Sequence, residues 1–188
     1  MIDKRRLARF VVPCLERLAN ADPGVADQRI GHVVVQKILR SALNHRVADD
    51  LRRRAAVLLI RVPSYEAIPH LVRAAPMMGN PTSVSVLDWA AKTLAKKSLI
   101  LPPAKTLHLL KRMEAAVREV ERRSAALSPA AIACLAKVKS QVEARLKKAN
   151  QAAGARTKKQ KTPALTGLKP AGGFTIPELA PPAQVPAQ

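Results

Sequence analysis

The sequence predicts an all-α chain, a solenoid of stacked helical hairpins followed by a disordered tail. Three observations carry this expectation. Apolar residues recur at helical spacing through most of the first 150 positions, and no partnered strand is evident. The stretch Leu51-x-x-x-Ala55-Ala56-x-x-Leu59 returns as Val86-x-x-x-Ala90-Ala91-x-x-Leu94, an offset of 35 residues. A period in that range marks helical hairpins that bury their faces against their neighbours. Only four residues are aromatic, Phe10, Tyr65, Trp89 and Phe174, so the core must be aliphatic, which suits close helix packing. The 188 residues divide at 150. Residues 1–150 form the helical domain, long enough to bury roughly two thirds of the surface its unfolded chain exposes.

The elements follow in order. Asp3 caps a first helix over about 4–20, with Leu7, Phe10, Val11, Cys14 and Leu18 on its inner side and a kink at Pro13. Asn20 to Gly24 reads as a turn. A second helix over about 26–44 carries Ile30, Val33, Val34, Lys37, Ile38 and Leu43. The third, about 48–61, has Leu51, Ala55, Leu58 and Val62 on one stripe and Asp49 and Asp50 at its positive end. Pro63 stops it, Ser64 caps the next helix, about 64–75, and Pro69 falls about one turn in. Pro76 to Pro81 is the next break, before the helix containing Val86 to Leu94. A long helix over about 104–125 turns Leu107, Leu110, Met113, Val117 and Val120 inward. Ser128-Pro129 starts the last, about 129–149, whose narrow seam is Ile132, Leu135, Val138, Val142 and Leu146. Six of the 15 prolines and four of the seven glycines lie in 151–188, a Pro/Ala-rich basic tail expected to be disordered.

The motif Leu51-Arg52-x-x-Ala55-Ala56-x-x-Leu59, followed by Glu66-Ala67-Ile68-Pro69-His70-Leu71, resembles the HEAT repeat. The resemblance is clearest over 51–71 and partial over 86–94, where Leu87 stands in place of the arginine and Ser98 to Pro103 replaces the compact turn. It implies a right-handed HEAT-like α-solenoid, with the last two helices as a capping hairpin. It also implies a structural role for Arg52 and a close helix approach at Ala55 and Ala56. Some HEAT-like proteins are DNA glycosylases that use an Asp and Trp residues, which draws notice to Asp88-Trp89. Adjacent helical residues point about 100° apart and form no site by themselves.

Function is read chiefly from charge. The chain holds 33 Lys and Arg against 13 Asp and Glu, a net +20. The tail has five basic residues and one acidic, leaving +16 on residues 1–150. Such an excess calls for an acidic partner, foremost nucleic acid. The alternatives are an acidic protein held by a scaffold, or a basic surface that merely stays solvated. The candidate contacts are Arg53, Arg54, Lys92, Lys96, Lys97, Lys111, Arg112, Arg145, Lys147, Lys148, Lys158 and Lys159, with further basic residues at Lys4 to Arg9 and Arg122-Arg123. These would neutralise phosphates without reading sequence. The scarcity of aromatic residues disfavours stacking on single strands and favours duplex or structured nucleic acid. In the tail, Phe174, Ile176 and Leu179 form an apolar island that could dock on a partner.

No catalytic motif is legible. The four histidines and two cysteines lack metal-ligand spacing, and no phosphate-cradling glycine loop, dinucleotide fingerprint or nucleophile elbow appears. The expectation is a non-enzymatic binding protein without cofactor or metal. No apolar run is long enough to span a membrane and no signal peptide is visible. Cys14 and Cys134 fall on apolar stripes and read as buried free thiols, so a cytoplasmic setting is expected.

Overall fold

The computed structural model describes residues 3–62, 64–96 and 103–159, with side chains to residue 151. The described residues form eight α-helices and no strand: α1 Lys4–Ala21, α2 Pro23–Gly31, α3 Val33–Ala42, α4 Asp49–Arg61, α5 Ile68–Ala74, α6 Asn80–Ala95, α7 Pro103–Glu121 and α8 Pro129–Lys159. Short 3-10 turns follow α5 and α7. None of these helices is long and apolar enough to cross a membrane.

Local chemistry accounts for most of the boundaries. Asp3 accepts a hydrogen bond from the Arg5 amide at 3.0 Å, capping α1. Asp22 ends α1 and caps α2, accepting from the Val25 amide at 3.0 Å, with Pro23 in the first helical turn. Ser128 Oγ accepts from the Ala131 amide at 3.2 Å and opens α8 as expected. Gly79, at φ 75°, turns the chain into α6, a conformation that favours glycine. Ser83 Oγ seals the same turn by donating to the carbonyls of Ala75 (2.6 Å) and Gly79 (2.7 Å).

Five local expectations are corrected. The helix expected over 26–44 is two, broken at His32, whose backbone is extended. Val33 and Val34 are consequently exposed (63% and 56%), and Gln36 Nε2 donates to the Ile30 carbonyl at 2.9 Å across the break. In α1 the buried face is Ala8, Val12 and Leu15, while Phe10 and Cys14 are exposed. Apolar residues cover more than half of that helix, so two stripes compete, and the face with the smaller side chains is the buried one. Ser64 does not cap α5. Tyr65 to Ala67 form a turn and the helix begins at Ile68, which puts Pro69 in the first turn, where its missing N–H costs nothing. In α8 the seam is Ala131, Cys134, Leu135, Val138 and Val142, with Ile132 exposed. That stripe is broad because α8 packs on both α6 and α7. Finally, α8 does not end near 149 but runs to Lys159. Six of the nine residues from Gln151 to Lys159 are Ala, Lys or Arg, good helix formers that outweigh Gly154 and Thr157, and the next proline is Pro163.

Several consecutive helices touch, and helices α6 and α8, α1 and α3, and α5 and α7 pack at least as extensively. α3 lies on α4, α5 on α6 and α7 on α8, with α6 also against α4 and α8, α5 against α7, and α1 against α2, α3 and α4. Two apolar clusters result. One joins α1–α4 to Leu71, Ala74, Met78 and Val86, and the other fills α5–α8. Trp89 is half-buried and packs against both. Both alanine pairs, Ala55-Ala56 and Ala90-Ala91, are buried, so neighbouring helices can approach closely at the two repeated motifs.

Candidate nucleic-acid interface

The main concavity is an open groove of about 810 Å3. α1 supplies Lys4 and Arg5, α3 supplies Lys37, Arg40 and Ser41, and the α3–α4 loop supplies Asn44 and His45. α5 adds His70, Arg73 and Ala74, and the α7 end adds Glu119 and Arg123. Two smaller hollows share lining residues with it. One, sharing Arg5, is lined by Asp3, Arg6, Arg9 and Arg46; the other, sharing Glu119 and Arg123, adds Arg122. Together these surfaces present ten Lys and Arg side chains against two carboxylates. This excess of five to one is twice that of the chain as a whole, at 33 to 13. These three hollows are therefore richer in cations than the chain as a whole, while the other cations lie elsewhere.

Several groove cations are already held in place. Arg40 donates through Nε to the Gln36 carbonyl (3.2 Å) and through Nη1 to Glu66 Oε2 (2.8 Å), which holds the Glu66 carboxyl below its ordinary range. Arg112 of α7 lies 3.0 Å from His70 Nε2. Burial first, then the charges of Arg112, Arg40 and Arg73, lower His70 to about 4, with Glu66 opposing. At neutral pH His70 is therefore uncharged, and its Nε2 accepts from the Arg112 guanidinium.

Most of the side chains singled out from the sequence lie elsewhere. Arg53 is exposed on α4 over Gly79. Arg54 is half-buried and already engaged by carboxylates. Its Nε lies 2.9 Å from both oxygens of Glu16, it also bonds Asp50 at 3.4 Å, and the Glu16 hydrogen bond raises its pKa despite opposing desolvation. Lys92 pairs with Asp88 at 2.6 Å, and Arg145 donates to the Lys96 carbonyl, tying α8 to the end of α6. Lys111 is exposed on α7, and Lys147 and Lys148 are exposed on α8. Among the described members of the set, Arg112 is the one seen to bond a groove residue, His70. Lys97, Phe174, Ile176 and Leu179 lie outside the described residues, as do the side chains of Lys158 and Lys159.

Lys37, Arg40, Arg46 and Arg73 were not legible as site residues because each stands apart from a charge run. The only sequence signal was the i, i+3 spacing of Lys37 and Arg40, which puts both on one face of α3. Arg52, by contrast, is 3% exposed and fully engaged within the fold. Among the described residues no group of three or more His, Cys, Asp or Glu side chains could hold a metal ion. Comparison of the chain with protein-family models, with curated proteins and with solved structures finds no match.

Proposed function

We propose that this is a non-enzymatic, cytoplasmic protein that binds nucleic acid through its phosphate backbone, built as a right-handed HEAT-like solenoid. The solenoid reading draws on the paired packing α3–α4, α5–α6 and α7–α8, the recurrence of the buried alanine pair, and the buried Arg52. The observation that carries the function is the groove and the two hollows that share residues with it, together lined by ten cations and two carboxylates. A row of this kind exchanges condensed counterions for Lys and Arg, which supplies affinity without base readout. Phe, Tyr and Trp are not among its lining residues, which favours duplex or structured nucleic acid over stacked single strands. Asp88 is paired with Lys92 and Trp89 packs between the two clusters, both outside the groove, so base excision gains no support from them.

The test is a titration of the full chain against duplex DNA and structured RNA at two salt concentrations. Binding at micromolar protein in about 100 mM salt is expected, displaced by heparin, with a log–log slope near −0.9 per phosphate contact on duplex DNA. Arg5→Ala and Lys37→Ala should each weaken all sequences alike and lower that slope by about one, whereas Lys147→Ala and Lys148→Ala on α8 should do little. Absence of binding to either nucleic acid under these conditions replaces this reading with a scaffold for an acidic protein. Phe10, 72% exposed beside Arg6 and Arg9 of the groove, would suit such a partner.

A further inference from the structure

At the α7 side of the groove two guanidinium groups converge on one carboxylate. Arg73 of α5 brings Nε to 3.2 Å from Glu119 Oε2, and Arg123 brings Nη2 to 3.7 Å from Glu119 Oε1. Neither contact is a well-made hydrogen bond. Arg73 Nε is sealed from solvent yet makes none, and 3.7 Å is beyond hydrogen-bond range. A carboxylate free to pair with one arginine takes it bidentately at about 2.7–2.9 Å. Here one carboxylate is divided between two arginines and satisfies neither. Among the described residues it is also the only acidic side chain lining the main groove, which Lys37, Arg40 and Arg5 line as well. The arrangement leaves an anion seat with a surplus of positive charge and an incumbent of the wrong geometry. A phosphodiester, with two anionic oxygens on a tetrahedral centre, can accept from both guanidinium groups at once.

We infer that Arg73 and Arg123 form a phosphate seat and that Glu119 is its resident counter-ion, displaced when a backbone phosphate binds. The inference rests on the reading of the groove as a nucleic-acid surface and adds to it a residue that works against binding. An ordinary ion pair between α5 and α7 would have the opposite signature, in which losing Glu119 weakens the fold and leaves affinity unchanged.

Fluorescence anisotropy with a short labelled DNA duplex, at about 100 and 200 mM salt, compares the full chain with Glu119→Gln and Glu121→Gln. Both substitutions add one positive charge. Glu121 pairs with Lys139 of α8 at 2.8 Å, and two positions along a helix turn it well away from Glu119. Glu119→Gln should bind about two- to fivefold tighter, the scale of one exposed ion pair released. Glu121→Gln should stay near the parent, and the gain should vanish in an Arg73→Gln background. If Glu119→Gln loses its fold by circular dichroism, Glu119→Asp replaces it, since withdrawing the carboxylate by one methylene should tighten binding in the same direction. Tight parental binding with no gain, or an equal gain in Glu121→Gln, overturns the seat and leaves the groove reading intact. No binding by parent or variant overturns both.

Discussion

The guanidinium of Arg52 donates to the carbonyl of Met77 at 2.8 Å, joining the start of α4 to the 3-10 turn that follows α5, 25 positions on. The same group bonds the carbonyls of His45 (3.2 Å) and Val47 (2.6 Å), reaches Asn44 at 3.4 Å and pairs with Asp49 at 2.9 Å. A planar fork with five donors is thus spent almost entirely on backbone oxygens. It holds the α3–α4 loop, which carries Asn44 and His45 into the groove, against the segment between α5 and α6.

Replacing Arg52 should therefore act through stability and through the groove together. Arg52→Ala leaves several inward-facing carbonyls without a donor and should cost roughly 2–5 kcal/mol. Arg52→Lys should recover only part, because an ammonium cannot span the same acceptors. Urea melts of the two variants check the order. Equal stability of parent and Arg52→Ala would remove the role assigned to this side chain.

Ala55 has no solvent exposure and sits on the face of α4 that meets its neighbours. Ala55→Leu should overpack that contact and lower stability by roughly 1–3 kcal/mol. Val57→Leu, on the exposed face of the same helix, should leave the thermal midpoint nearly unchanged. Similar melting of the two variants would mean that the face is assigned wrongly.

His70 predicts a pH dependence with a definite sign. Its folded pKa is lowered to about 4 from an ordinary 6.5, so between those values the unfolded chain binds a proton that the folded chain does not. Stability from this group is fully present above 6.5 and is lost as pH falls toward 4. Glu66, held low chiefly by its bond to Arg40, adds a second loss only below its ordinary value of 4.5. Urea melts between about pH 7.5 and 5 should show stability declining, and His70→Gln should flatten the decline. An unchanged slope in that variant would assign the effect to other groups.

Arg53 and Arg54 should behave differently although they are adjacent. Arg54 is tied to Glu16 of α1 and to Asp50, so Arg54→Ala should cost about 1 kcal/mol through the lost network. Arg53→Ala should be nearly silent in a thermal melt. Neither lines the groove, so both should change the salt dependence of nucleic-acid binding less than Arg5→Ala or Lys37→Ala.

The helical character of the chain was legible because it is written locally. Asp3 and Ser128-Pro129 start helices through their own side chains, and the Ala-Ala pairs at 55 and 90 mark buried faces by size alone; Asp22-Pro23, which read as part of a turn, caps and opens α2. What was not legible were choices among locally equal options. α1 has two apolar stripes, and only its packing against α2, α3 and α4 decides that Val12 is inside and Phe10 outside. His32 breaks a pattern that was helical by spacing, with a tertiary outcome that buries Ile30 and Ile38 together.

The same division governs the groove. By itself the sequence determined that the chain is helical, aliphatic in its core and strongly basic, because composition and periodicity are properties of the residues alone. Which cations act together was decided by tertiary structure. Arg54 matched the expected exposed arc but met Glu16 from another helix, while Lys37, Arg40 and Arg73, unremarkable in sequence, are brought to one surface by helices distant along the chain. Charge is fixed by residue identity; its convergence is fixed only when the helices pack.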